Sequence, residues 1–206
     1  MPRTPLRLIS QLNLWFRGWP ELSNHFNRGR RRVPVCPQLG LHDSSDREVL
    51  RQEMQWVSRY TGDAGANFIY ALEWIKPEFA ANEVFEALID ANLRDAFLPE
   101  LARTRSRWCI FYDPVLAPLQ RLLASAPPID YSRSDVFRMW VSDLDYLRGY
   151  FDHPSYWRID GKPVLILWAV PDGMLNPGPA IDEARRRGIY VLGDVFGRSG
   201  PLPALD

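Results

Sequence analysis

Tyr150–Trp168, YFDHPSYWRIDGKPVLILW, holds a helix exit, a tight turn and a buried strand in close succession. Pro154 cannot continue a helix, because it lacks a backbone N–H and its ring crowds the preceding turn. Asp160-Gly161 is a turn dipeptide, since glycine accepts a positive φ without steric cost. Pro163 then opens an unbroken apolar run, Val164-Leu165-Ile166-Leu167-Trp168, which reads as a strand buried on both faces. Such a strand, entered from a helix, belongs to a parallel α/β sheet.

Working outward, the same alternation recurs. Leu8–Phe16 reads as a first strand, and residues 17–43 as an irregular connection rich in Gly and Pro. The basic run Arg28-Gly-Arg-Arg-Arg32 inside that connection reads as a solvated loop, because a nucleic-acid patch would need interleaved aromatics and a wider basic surface. A helix follows Asp46, capped by Ser44 or Ser45, with Val49, Leu50, Met54, Val57 and Tyr60 on its apolar face; Gly62 and Gly65 end it. Phe68–Leu72 is the second strand and delivers Glu73 and Trp74. A second helical region spans residues 82–103, and Pro99 should kink or break it near its end.

Trp108–Tyr112 is the third strand and delivers Asp113. A third helix covers Ser134–Phe151, with Val136, Phe137, Trp140, Leu144, Leu147 and Tyr150 as its apolar face. The opening segment supplies the fourth strand. Ile181–Arg187 is a short helix, Ile189–Val195 a fifth strand, and residues 197–206 a tail or truncation point. The order strand, helix, strand, helix predicts a parallel sheet with right-handed crossovers, in a single domain over residues 1–206. No GxGxxG, GxxxxGK[ST] or GxSxG motif is present, which disfavours dinucleotide, P-loop and α/β-hydrolase readings.

Composition narrows the partners. With 25 basic and 25 acidic residues in 206, no net field favours nucleic acid or an anionic membrane. Two cysteines, Cys36 and Cys109, and three separated histidines offer no metal-ligand spacing, so neither metal nor cofactor is expected. No apolar run is long enough for a membrane span, and the N-terminus carries no signal-peptide block. The expected location is the cytoplasm.

Ligands of parallel α/β folds meet the C-terminal ends of the strands. Those ends here carry Trp15, Glu73, Trp74, Tyr112, Asp113, Trp168 and Asp194. Indole and phenol rings offer stacking surfaces to the C–H faces of a sugar, and carboxylates accept from its hydroxyls. Packing and ion pairing are the competing roles for the same residue types.

Four segments resemble glycoside hydrolase family 99, a (β/α)8-barrel group that includes endo-α-mannosidases and bacterial relatives found with polysaccharide biosynthesis. Residues 37–46, PQLGLHDSSD, resemble its P-x-L-G-x-Y-D-S-x-D loop, with His42 in place of Tyr. Residues 66–74, ANFIYALEW, are similar to its second strand. Residues 107–114, RWCIFYDP, are similar to its third, which usually ends in Glu where this chain has Asp113. Residues 153–164, HPSYWRIDGKPV, resemble its HPxYxxxxGxPV signature and are the most specific of the four.

The resemblance implies an incomplete (β/α)8 barrel of about five βα units, since the full barrel takes about 250 residues. It implies a substrate-binding side at Asp43, Glu73, Trp74, Tyr112, Asp113 and Trp168. The family's acid/base pair is a Glu-x-x-Glu in a later-strand Asn-Glu-x-x-Glu-Gly motif. The chain's one similar stretch, Asn82-Glu83-Val84-Phe85-Glu86-Ala87, lacks the final Gly, comes early and opens a helix, where carboxylates complement the dipole. No residue is therefore assigned a catalytic role. The expected partner is an oligosaccharide or polysaccharide, bound by a glycoside hydrolase-like domain inactive on its own or by a non-catalytic glycan-binding or biosynthetic domain. Two open sheet edges are expected, on an N-terminal fragment or truncated gene product; a complete chain would be expected to be poorly stable alone or to pair with a complementary chain.

Overall fold

The computed structural model describes residues 7–14, 43–76, 89–115, 118 and 127–194. The chain divides into two compact units, Met1–Trp108 and Cys109–Asp206.

In the first unit, β1 (Leu8–Leu12) runs parallel to β2 (Phe68–Trp74), with Leu8 opposite Phe68 and Leu12 opposite Leu72. β1 is shorter than its apolar pattern suggested, and Trp15 and Phe16 lie outside the described residues. Between the strands runs α1 (Arg47–Thr61). Its cap is neither serine but Asp46, whose carboxylate accepts the N–H groups of Glu48 at 2.9 Å and Val49 at 3.4 Å. Ser45 instead donates its N–H and hydroxyl to Asp43. A carboxylate both caps and complements the helix dipole, which a hydroxyl does not. Leu50 and Met54 bury as expected, whereas Tyr60, the last residue but one of the helix, is 86% exposed. Gly62, at φ 67°, ends the helix in a conformation that glycine alone adopts freely.

The helical chain around Pro99 widens rather than breaks. Leu93–Phe97 form a π turn closed by the Leu98 N–H on the Leu93 carbonyl, and α2 (Leu98–Leu101) continues from it. Pro99 has no N–H to give, and its ring would crowd a carbonyl four residues back; a wider turn relieves both. The stretch at residues 82–87 lies outside the described residues.

In the second unit, β3 (Arg107–Tyr112, entering from the first) pairs in parallel with β6 (Lys162–Leu167), which pairs in parallel with β8 (Tyr190–Gly193). Val164, Leu165 and Leu167 are fully buried and Ile166 nearly so, as the apolar run requires. α3 (Ser134–Phe151) covers the sheet with Val136, Trp140, Leu144 and Leu147, and its Trp140 Nε1 donates to the Ala180 carbonyl of α5 (Gly178–Arg186) at 2.9 Å. Between α3 and β6, β5 (Arg158–Ile159) folds back antiparallel on β6. Asp160 and Gly161 form the two-residue connection with φ of 50° and 76°, the paired positive values of a type I′ turn.

The sequence reading also missed a second, two-stranded sheet. β4 (Ile129–Asp130) and β7 (Met174–Leu175) pair in parallel, with the short helix α4 (Val170–Gly173) leading into β7. Both strands sit in the connections that leave the C-terminal ends of β3 and β6. Five parallel strands in βα order are thus described, β1 and β2 in the first unit and β3, β6 and β8 in the second.

Candidate functional site

In the first unit, Glu73 and Trp74 are successive strand residues, so their side chains leave opposite faces of β2. Glu73 accepts from Gln11 Nε2 at 3.3 Å, and Gln11 also holds Asn13 Oδ1 at 3.2 Å. Gln11, Asn13 and Glu73 therefore form one polar face at the C-terminal ends of β1 and β2. The sequence reading overlooked Gln11 and Asn13, although their spacing of two marks them as facing the same way. Trp74 goes to the other side. It is fully buried, and its Nε1 donates to Asp90 at 3.0 Å. Asp43 spends one carboxylate oxygen on the Ser45 N–H at 2.8 Å and hydroxyl at 2.7 Å, which shapes the approach to α1. Lys76, two residues past β2, is also buried and was not anticipated.

In the second unit the same alternation sorts the remaining candidates. Tyr112 is fully buried and turned toward α3, where its hydroxyl donates to Asp143 at 2.7 Å and its ring meets Trp140 edge-on. The opposite face of β3 carries Phe111 and then Asp113. Phe111 pairs with Ile166, and Ile166 with Leu192. Two residues beyond each of these stand Asp113, Trp168 and Asp194. Period-two alternation puts all three on one face at adjoining strand ends.

The ladder holds to this point, because the Trp168 N–H donates to the Tyr112 carbonyl at 3.0 Å and the Asp194 N–H to the Leu167 carbonyl at 2.8 Å. Asp113 is fixed by accepting the Val115 N–H at 2.8 Å. Trp168 and Asp194 are half-buried, and Ala169 follows Trp168 in the left-handed region at φ 44° and ψ 41°. A non-glycine residue held there is a mark of imposed geometry of the kind that gathers at binding sites. Trp15 lies outside the described residues.

The signature segment sits at the other end of the strands. His153 begins a turn, its carbonyl accepting the Tyr156 N–H at 2.9 Å and its Nδ1 the Ser155 N–H at 3.2 Å. Burial lowers the pKa of its imidazole. Tyr156 is buried, and its hydroxyl accepts from the Ile110 N–H at 3.0 Å while donating to the Val164 carbonyl at 2.8 Å. Desolvation drives that phenol well above its ordinary pKa, so it stays protonated and able to donate.

Among the described residues no three His, Cys, Asp or Glu side chains gather as metal ligands do. Among them, too, no helix is long and apolar enough to cross a membrane.

No protein-family model matches the chain, and no curated protein matches it. Solved structures do, and they define the class: an α/β chain of the (β/α)8-barrel type, incomplete at the five parallel strands described here. One is the GH99 endo-alpha-mannosidase from Bacteroides thetaiotaomicron. It is 19% identical, with a TM-score of 0.50, over 78% of this chain and 41% of its own. Another is a glycoside hydrolase-like protein, 14% identical with a TM-score of 0.55, over 92% of this chain and 52% of its own. The chain thus spans about half the length, or less, of these structures, and at such identities the likeness is one of fold.

Proposed function

We propose that the chain is a glycoside hydrolase-like domain that binds a mannose-containing or surface polysaccharide. The observation that carries this is the convergence of Asp113, Trp168 and Asp194 on one face at the ends of β3, β6 and β8. An indole between two carboxylates suits a pyranose, whose apolar face stacks while its hydroxyls donate to the acceptors. In the first unit, taken by itself, Glu73 accepts from Gln11 at the end of β2.

Hydrolysis would need one carboxyl group to protonate the leaving oxygen and a second to assist attack at the anomeric carbon. The chain's single Glu-x-x-Glu, at Glu83 and Glu86, precedes the third strand, so these 206 residues are read as binding without cleavage. The alternative, a non-catalytic glycan-binding domain or one serving polysaccharide biosynthesis, accommodates the same absence. Among the described residues β1 pairs only with β2, and β8 has only β6 beside it. A complementary chain supplying further strands would complete those edges, and the cytoplasm is the proposed setting.

A glycan array carrying α-mannans and bacterial surface polysaccharides tests the proposal with the whole chain. Binding that disappears in Trp168→Ala, with no sugar released on prolonged incubation, is the expected result. A folded protein that binds no glycan would sink it. Released sugar would restore the enzymatic reading.

A further inference from the structure

The segment after β6 is fastened at three places. The Val170 N–H donates to the Asp194 carbonyl at 3.0 Å, which ties it to the end of β8. Pairing of β7 with β4 is reinforced by the Tyr131 N–H on the Leu175 carbonyl at 2.9 Å and by Asn176 Nδ2 on Asp130 Oδ1 at 3.1 Å. The third fastening is steric. A Cβ placed on Gly173 would lie 2.6 Å from Val115 Cγ2, closer than real Cβ contacts come. Gly173 is helical and has no positive φ, so its glycine supplies closeness rather than backbone freedom.

Val115 cannot easily give way. Its side chain is short and β-branched, it is nearly buried, and its N–H holds the Asp113 carboxylate at 2.8 Å. The Trp168 loop and the Asp113 turn therefore touch through Gly173 and Val115. The left-handed Ala169 beside Trp168 is a conformation that only imposed surroundings maintain.

We infer that Gly173 is a positioning residue of the carbohydrate site. By lacking a side chain it sets the spacing between the Trp168 indole and the Asp113 carboxylate, and so selects a pyranose that stacks on one while donating a hydroxyl to the other. This rests on reading Trp168 and Asp113 as sugar contacts.

The test uses the full chain labelled with 5-fluorotryptophan, with the Trp168 fluorine resonance assigned by Trp168→Phe. Gly173→Ala should shift or broaden that resonance and leave those of Trp74 and Trp108 in place. The double variant Val115→Ala with Gly173→Ala removes the colliding methyl and should return it. Titration with an α-linked mannotetraose should show affinity falling about tenfold in Gly173→Ala, with most of it regained in the double variant. An unmoved Trp168 resonance, a shifted one with unchanged affinity, or no recovery in the double variant would each overturn the inference. Failure of the unmutated chain to bind the mannotetraose counts against the mannose reading instead, and the fluorine spectra still decide whether Gly173 positions Trp168.

Discussion

The Tyr156 hydroxyl donates to the Val164 carbonyl at 2.8 Å, and the Ile110 N–H donates to that same hydroxyl at 3.0 Å. One phenol thus bridges β3 and β6 just where their pairing begins, at Ile110 opposite Leu165. Tyr156→Phe keeps the ring and deletes the bridge. A buried backbone donor then loses its partner, so the variant should unfold with about 1–3 kcal/mol less stability in urea titration. Glycan binding at 25 °C should be unchanged, since Tyr156 lies at the far end of the strands.

Glu100 sets the acid limit of the first unit. Its buried carboxylate meets Arg47 at 2.7 Å, Arg51 at 2.9 Å and Arg103 at 3.2 Å. The hydrogen bond from Arg51 is the chief cause of a pKa lowered to about 2, against the opposing effect of desolvation. A folded value below the unfolded one means stability fully present above the ordinary carboxylate pKa and lost as pH falls through the folded value. Thermal melts between about pH 5 and pH 2 should show this decline, and Glu100→Gln should flatten it. His153, lowered by burial, adds a loss of the same sign as pH falls below its ordinary value.

Two tryptophans that look alike in the sequence should behave differently. Trp168 is half-buried at a strand end, and Trp74 is a fully buried ring bonded to Asp90. Trp74→Ala should cost about 3–5 kcal/mol of stability, as large core truncations do. Trp168→Ala should change the melting temperature little and remove glycan binding. Parallel melting and binding curves separate the two. Equal destabilisation by both would contradict the assignment.

Two glycines should respond with opposite signs. Gly161 sits at φ 76° in the hairpin turn, and Gly161→Ala should destabilise by about 1–2 kcal/mol. Gly149 lies inside α3, where an added Cβ meets nothing within 4 Å. Gly149→Ala should stabilise by about 0.5–1 kcal/mol, because alanine loses less entropy in a helix. Chemical denaturation of both variants checks the pair.

What could be read in advance follows from how local each signal was. β6 announced itself through five apolar residues in a row, and α3 through a sustained helical repeat; both are properties of neighbours in sequence. The β4–β7 pair joins Ile129 to Met174 and Asp130 to Leu175, two residues from each side, and carries no periodicity to detect. β5 was hidden for the same reason, although its Asp160-Gly161 turn was visible. The candidate residues were found at the strand ends, but Glu73 was grouped with Trp74 and Asp113 with Tyr112. Alternation forbids either pair from sharing a face, and the structure sends each aromatic into the packing behind the sheet. Gln11 escaped notice because its role depends on β1 lying beside β2.

The Tyr156 bridge separates likeness from use. The segment in which this chain most resembles glycoside hydrolase family 99 ties the base of the sheet together, at the opposite end of the strands from Asp113, Trp168 and Asp194. A likeness carried by such residues speaks to how the sheet is built, and leaves the chemistry of its rim to be established there.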